Sequence, residues 1–159
     1  MSDQGHRDRA KLDVEDSSLG PDLDFLRLLW AVDHALQSGS KRMEVMLGIT
    51  GPQRLVLRIV GRFPGIAAGR VAAILHVHPS TLTGILQRLE ARGLLQRKAD
   101  PSDRRRALFA LTPKGRKLDT LKTGTVESAV RRALARLPET VAATSRLLAA
   151  VAEELESAE

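Results

Sequence analysis

One stretch of the chain, from Pro79 to Gly115, joins a helix pattern directly to a hairpin pattern. It reads PSTLTGILQRLEARGLL, then QRKADPSDRRRALF, then ALTPKG. Apolar residues in the first part recur every three or four positions, which predicts an amphipathic helix with one buried stripe. The second part has two short strand-like runs around the turn-forming DPSD segment, which predicts a β-hairpin. This combination narrows the choice of folds before any other part of the chain is considered.

The predicted helix presents two different faces. It begins at Pro79, ends at about Arg92, and is followed by Gly93, a residue suited to a helix C-terminus. Its buried stripe is formed by Leu82, Ile85, Leu86 and Leu89. Its outward face carries small and polar residues, namely Ser80, Thr81, Thr83, Gly84, Gln87 and Arg88. Such a face suits a DNA major groove about 12 Å wide, although an ordinary solvent-exposed helix can have the same composition.

The predicted hairpin carries a cluster of arginines at its tip. A type I turn is expected over residues 100–103, and Arg104, Arg105 and Arg106 follow directly after Asp103. Adjacent cations repel one another, but a guanidinium at a hairpin tip can enter a narrow minor groove of strongly negative potential. We expect Asp103 to orient Arg105 through a charge-assisted hydrogen bond, and Arg104 and Arg106 to meet phosphates.

Positive charge is concentrated in the same region. Residues 51–117 hold fourteen Lys and Arg against three acidic residues, a net charge of +11, whereas residues 1–50 carry −3 and residues 118–159 carry −2. A localised positive field indicates a polyanionic partner, although a solvated basic surface is the simpler explanation for charge alone.

The flanking segments predict a mainly α fold with a small β-hairpin wing, an α+β arrangement. Residues 1–20 are expected to form a flexible tail, 49–115 a winged helix-turn-helix domain, and 21–48 with 116–159 a helical dimerisation region. Thr112 should cap a helix that runs without a break to Pro138, before a last helix over about 139–155. The apolar stripes of the outer helices exceed what the small winged domain can cover, which favours a homodimer over burial within one chain.

Several classes of function have little support. The chain has no cysteine, which excludes disulfides and thiol-based sensing. It lacks both an apolar run of about 20 residues and a signal-peptide pattern, so a cytoplasmic protein without membrane contact is expected. No phosphate-binding loop or catalytic constellation is recognisable, so no enzyme and no cofactor are predicted. His76 and His78 form an incomplete metal-ligand set and are better explained as turn residues.

The segment DPSDRRRALFALTPKG, preceded by HPSTLTGILQRLEARGLLQR, resembles the MarR family of winged helix-turn-helix transcription regulators. The resemblance implies a homodimer with two recognition helices in successive major grooves of a near-palindromic site and two wings in the adjoining minor grooves. Arg105 matches the wing-tip arginine of the family, and Asp103 matches its orienting partner. Ala67 departs from the pattern, because a Ser or Thr often caps the third helix there.

The resemblance also implies a small aromatic or phenolic effector. The residues considered for its pocket are Trp30 and His34 on the first helix and Arg58 or Arg62 opposite, although Trp30 could equally be scaffold core and His34 a surface residue. The predicted function is that of a ligand-responsive repressor that binds double-stranded DNA and joins the nucleoid when bound. The alternatives are a DNA-architectural protein without sequence preference and a winged-helix module for protein or RNA contacts.

Overall fold

The fold was analysed in a computed structural model that describes residues 18–103 and 105–157. Most of the predicted tail over residues 1–20, and Arg104 at the wing, lie outside these ranges. The chain divides into two compact units, one up to Ser38 and one from Gly39 onward. This boundary lies within α1 (Pro21–Leu47), and all the other elements belong to the second unit. None of the described helices is long and apolar enough to cross a membrane.

The helix α2 (Gly51–Arg62) begins at the predicted cap. The Thr50 hydroxyl accepts a hydrogen bond from the Gln53 amide at 3.4 Å, and the Gln53 side chain accepts one from the Thr50 amide at 3.1 Å. This reciprocal pair satisfies two amides that the first turn leaves free. After Pro64 and Gly65 comes α3 (Ala68–Leu75), whose cap residue Ala67 offers no side-chain hydrogen bond, as its apolar side chain predicts.

A three-stranded antiparallel sheet completes the winged domain. The strands are β1 (Ile66–Ala67), β2 (Leu95–Ala99) and β3 (Ala107–Leu111), in the order β1-β3-β2. Both strands of the predicted hairpin are confirmed, and Ala107 lies opposite Ala99 at the end of the ladder. Sequence analysis missed β1, because two residues are too few to show an alternating pattern.

The core of the second unit lies between these helices and the sheet. The predicted buried stripe of α4 (Pro79–Ala91) is confirmed, since Leu82, Ile85, Leu86 and Leu89 are all buried. They pack in one cluster with side chains from α2, α3, the strands and the residue before β2: Val56, Leu57, Ile59, Val60, Val71, Ala72, Leu94, Leu95, Phe109 and Leu111. The fold class predicted from the sequence, mainly α with a small antiparallel sheet, is therefore confirmed.

The prediction of one continuous helix after the wing is wrong. The structure has α5 (Pro113–Asp119) and α6 (Val126–Arg136), separated by an irregular segment in which Gly124 has a φ of 69°. The physical reason is Arg54 of α2, whose guanidinium donates hydrogen bonds to three carbonyls at the break, those of Leu118, Asp119 and Leu121. A continuing helix would have bonded these carbonyls to its own amides.

The C-terminal helices leave apolar side chains uncovered. After α6, a 3₁₀ turn (Pro138–Thr140) leads into α7 (Val141–Ser157), which has no buried residue in the described chain. Val130 and Leu134 on α6, Leu137 just after it, and Leu147 and Leu148 on α7 are each more than 40% exposed. The helix α1 likewise exposes Leu23, Leu26, Leu28, Trp30, Val32 and Leu36. The expectation that a homodimer covers these stripes stays a prediction.

Candidate nucleic-acid interface

The outward face of α4 is open to solvent. Five of the six residues predicted to face DNA are exposed, namely Ser80, Thr81, Thr83, Gln87 and Arg88, and Gly84 is half-buried. The Thr83 hydroxyl donates to the Pro79 carbonyl at 2.9 Å, which fixes its direction within the first turn of the helix. The side chains of Gln87 and Arg88 form no hydrogen bond within the described residues. The face therefore combines a small, ordered first turn with longer hydrogen-bonding side chains one turn later.

Histidines form both ends of the turn that leads into α4. His76 ends α3 in the left-handed region with a φ of 50°, and His78 is the N-cap of α4. The His78 ring nitrogen Nδ1 accepts a hydrogen bond from the Ser80 amide at 3.2 Å and lies 2.7 Å from the Ser80 hydroxyl. The prediction that these histidines are turn residues is confirmed, and their chemical role is capping.

The wing turn is organised by aspartate side chains. The Asp100 carboxylate accepts hydrogen bonds from the amide and the hydroxyl of Ser102, at 2.9 and 2.7 Å, as in an Asx turn. The hydroxyl bond of Ser102 is the main reason that the pKa of Asp100 lies below its ordinary value. The Asp100 amide also bonds to the Arg106 carbonyl at 3.0 Å, which closes the base of the turn.

The predicted contact between Asp103 and the Arg105 guanidinium is not what the structure shows. The Asp103 carboxylate instead accepts a hydrogen bond from the backbone amide of Arg105 at 3.0 Å. A short aspartate side chain reaches the amide two residues on more readily than the end of a long arginine, because the tight turn brings that amide close. Asp103 thus shapes the backbone that carries Arg105, and the guanidinium has no ion-pair partner in the described chain.

The helix α4 and the wing share one cleft of about 350 Å³. Arg105 and Arg106 line it from the wing, and Thr83 and Gln87 line it from α4. Sequence analysis missed Arg97, a third cation in the same cleft, whose position in the middle of β2 gave no motif signal. Glu90 supplies an acidic group to the lining. The structure therefore brings four of the predicted DNA-contacting residues to one cleft, two from α4 and two from the wing. The other described members of the two sets do not line it, namely Ser80, Thr81, Gly84, Arg88 and Asp103, and Arg104 lies outside the described residues.

The residues predicted for an effector pocket lie in separate units. Trp30 and His34 belong to the first unit, where both are exposed and Trp30 has 69% of its surface accessible. Arg58 and Arg62 are exposed on α2 in the second unit. Arg58 is already engaged by Asp119, with 2.9 Å bonds to both its carboxylate and its carbonyl oxygen. The pocket remains a prediction.

Comparison with known proteins identifies the arrangement of helix, cleft and wing. The family model described as "MarR family" matches residues 47–106, which run from the end of α1 to the wing. A transcriptional repressor of Mycobacterium tuberculosis extends this match to most of the chain, at 31% identity. The chain belongs to the MarR family. It is a DNA-binding transcriptional regulator, which confirms the resemblance stated from the motif. The proteins that it resembles are named as transcriptional regulators.

The relatives support the same assignment along most of the chain. The "HTH-type transcriptional repressor Rv2887" of Mycobacterium tuberculosis is 31% identical over 119 residues, which is 75% of this chain and 86% of that protein. The crystal structure of the transcriptional regulator SlyA superposes with a TM-score of 0.73 at 26% identity, covering 86% of this chain and 99% of that one. The PcaV regulator of Streptomyces coelicolor, solved with its natural ligand, gives 0.65 at 26% identity over 81% and 89% of the two chains.

Proposed function

We propose that this MarR-family regulator is a ligand-responsive repressor that binds a near-palindromic operator as a homodimer. In this proposal α4 enters the major groove and Arg105 of the wing enters the adjoining minor groove. The observation that carries it is the shared cleft, where an exposed polar helix face and uncommitted wing cations lie side by side. Base edges are read in the major groove, whereas an arginine in a narrow minor groove responds to the shape of the DNA.

The homodimer is supported by the uncovered apolar side chains. Several leucines and valines on α1, and others on α6 and α7, are 40% exposed or more, and exposed apolar surface is typical of an interface. Repression is supported by the name of the mycobacterial relative, and a response to a ligand by the PcaV complex. A pseudo-palindromic site follows from two-fold symmetry, because each protomer presents the same helix to one half-site.

The test is a fluorescence-anisotropy titration with the DNA upstream of the protein's own gene. Arg105→Ala should weaken binding at least tenfold because it removes a minor-groove contact, while Arg146→Ala, which removes an equal charge from α7, should leave the affinity within about twofold. Binding should weaken steeply with salt, as expected when on the order of six phosphates are neutralised per dimer. Equal affinity of the unmodified protein for a random duplex would instead favour the architectural alternative. If the unmodified protein bound neither DNA, a protein-interaction module would be favoured.

The proposed small aromatic or phenolic effector can be tested through Trp30. This is the one tryptophan of the chain, so its fluorescence reports on a single site. A panel of small aromatic acids should contain a compound that changes this emission and raises the melting temperature, because binding to the native state stabilises it. Loss of the thermal shift in His34→Ala would support the predicted site. An unchanged thermal shift would show that the effector binds at another site.

A further inference from the structure

The backbone at the end of α4 closes on itself in a defined way. The Gly93 amide donates a hydrogen bond to the Glu90 carbonyl at 2.8 Å, and the Leu94 amide donates one to the Leu89 carbonyl at 2.9 Å. These are the two hydrogen bonds of a Schellman motif, and Gly93 has the positive φ, 66°, that the motif favours. The motif satisfies two carbonyls at the end of the helix and leaves the carbonyls that follow for other donors.

The donors for those carbonyls come from the residues that begin α5. The Thr112 hydroxyl donates to the Gly93 carbonyl at 2.6 Å, and the Thr112 amide donates to the Leu94 carbonyl at 3.1 Å. The Lys114 ammonium donates to the Arg92 carbonyl at 2.9 Å, where a cation also complements the negative end of the helix dipole. We call these three hydrogen bonds the α4 clamp.

The Thr112 hydroxyl has two functions in the clamp. It accepts a hydrogen bond from the Gly115 amide at 3.0 Å as the N-cap of α5, while it donates to the Gly93 carbonyl. Both bonds can form together, because a hydroxyl has one donor and two acceptor positions. The close approach of the two backbones also needs the glycine, since a Cβ atom at Gly115 would clash with the Leu94 carbonyl oxygen. The clamp therefore fixes the start of α5 and the end of α4 against each other.

The other end of α5 is fixed as well. This helix has only seven residues, and at its end Arg54 of α2 donates to the carbonyls of Leu118 and Asp119. Arg58 of α2 donates to the Asp119 carbonyl and carboxylate, both at 2.9 Å. A short helix with directional bonds at both ends behaves as a strut. It connects α2 to the end of α4 in addition to the apolar core between them.

The clamp gives α4 an orientation that its buried stripe specifies less strictly. Burial of apolar surface is non-directional, whereas a hydrogen bond requires a defined distance and angle. Gln87 and Arg88 lie about one turn before the clamped carbonyls, so a small tilt or rotation at the end of α4 would move both side chains. Hydrogen bonds to base edges tolerate little displacement, whereas charge attraction to phosphates tolerates much more.

We propose that Thr112 and Lys114 are positioning residues, which set the orientation of α4 for reading bases through the clamp and do not themselves contact DNA. The inference rests on the proposed sequence-specific binding of the operator. Its signature is a loss of discrimination, because removal of the clamp should weaken base reading and leave charge-driven binding to a random duplex unchanged.

The experiment is a fluorescence-anisotropy titration of the full-length chain with the DNA upstream of its own gene and with a random duplex of the same length. Thr112→Val keeps the shape of the side chain and removes the hydroxyl. It should lower the ratio of the two affinities at least about fivefold, and Thr112→Ser should restore that ratio. Lys114→Met should also lower the ratio, whereas the matched control Lys122→Met removes an exposed charge outside the clamp and should leave the ratio within about twofold.

Three outcomes of this titration are decisive. An unchanged ratio in Thr112→Val and Lys114→Met would overturn the proposal. Equal losses of both affinities in Lys114→Met, with a weaker salt dependence, would show that Lys114 contacts a phosphate, which would also overturn it. Loss of the cap in Thr112→Val costs stability, so each variant is titrated well below its melting temperature. If Thr112→Val does not fold, Lys114→Met decides the question, because the side chain of Lys114 is exposed.

Hydrogen exchange without DNA separates the clamp from the proposed function. The Gly93 and Leu94 amides should exchange at least about threefold faster in Thr112→Val and Lys114→Met than in the unmodified protein, and the Phe63 amide at the end of α2 is the internal reference. Unchanged exchange at Gly93 and Leu94 would overturn the inference whatever the DNA result. If the unmodified protein shows no preference for its operator, the proposed function fails, and faster exchange in the two variants still supports the clamp.

Discussion

Arg54 on α2 and Glu127 on α6 form an ion pair with a nitrogen–oxygen distance of 2.7 Å, and the arginine side chain is almost entirely buried. The same guanidinium bonds to three backbone carbonyls where the helical path is broken between α5 and α6. A buried charge is tolerated only when its hydrogen bonds are satisfied. This arginine therefore joins the first helix of the DNA-reading domain to the helices that follow the wing.

Replacement of Arg54 should destabilise the protein strongly. Arg54→Ala leaves three carbonyls and a partly buried carboxylate without their donor, and we expect a loss of about 3–5 kcal/mol in the free energy of unfolding. Arg54→Lys should recover little, because one ammonium cannot reproduce the planar fork.

The matched control for this prediction is Arg58→Ala, one turn further along α2, where the arginine is half exposed and pairs with Asp119. It should cost less than about 1 kcal/mol. Both losses are measured by chemical denaturation at one protein concentration. Equal losses in the two variants would contradict the central role of Arg54.

The ion pair should also make stability depend on acid pH. Burial raises the pKa of Glu127, but the hydrogen bond and the positive charge of Arg54 lower it by a larger amount. The pKa of Glu127 therefore lies below its ordinary value of 4.5. A depressed pKa in the folded state means that the stabilisation is complete above the ordinary value and is lost as the pH falls through the folded value. The stability difference between the native protein and Glu127→Gln should therefore be constant near neutral pH and shrink below about 4.5. Chemical denaturation at a series of pH values measures this difference in the free energy of unfolding. The control is Glu139→Gln, which changes an exposed carboxylate. A difference for Glu127→Gln that does not vary with pH would refute the prediction.

Replacement by alanine should have opposite effects on stability at two glycines, Gly115 and Gly69. A Cβ at Gly115 would clash with the Leu94 carbonyl oxygen, because α5 crosses the start of β2 at very close range. Gly115→Ala should therefore force α5 to shift and destabilise the protein by more than about 1 kcal/mol. A Cβ at Gly69 in α3 would meet nothing, so Gly69→Ala should stabilise by up to about 1 kcal/mol. Thermal unfolding of both variants decides this, and destabilisation by Gly69→Ala would contradict the steric argument.

Another hydrogen-bond acceptor should be able to replace His78 as the N-cap of α4 without loss of helix stability. His78→Ala removes the acceptor for the Ser80 amide, and a lost N-cap costs about 1 kcal/mol of helix stability. His78→Asn keeps an acceptor and should behave like the native protein. Hydrogen exchange at the Ser80 amide measures the difference directly. Faster exchange in both variants would mean that the capping bond is specific to the imidazole ring.

The sequence by itself determined the elements whose signals are local. The buried stripe of α4, the capping by Thr50 and Thr112, and the two wing strands follow from spacing, turn chemistry and side chains within a few residues of one another. The DPSD and LTPKG segments were also sufficient to indicate the family, because their residues are contiguous. Such features depend on short-range sterics and hydrogen bonds, which the tertiary environment did not change.

Only the tertiary structure decided the features that depend on distant partners. Apolar residues continue from α5 into α6, and although Gly124 favours a break, no local pattern indicates that a guanidinium more than sixty residues earlier bonds to the carbonyls there. The short strand β1 exists because Phe109 lies beside Ile66, and the cleft between α4 and the wing exists because α4 packs beside the wing. These are non-local contacts, and one linear pattern does not specify which distant segments will form them.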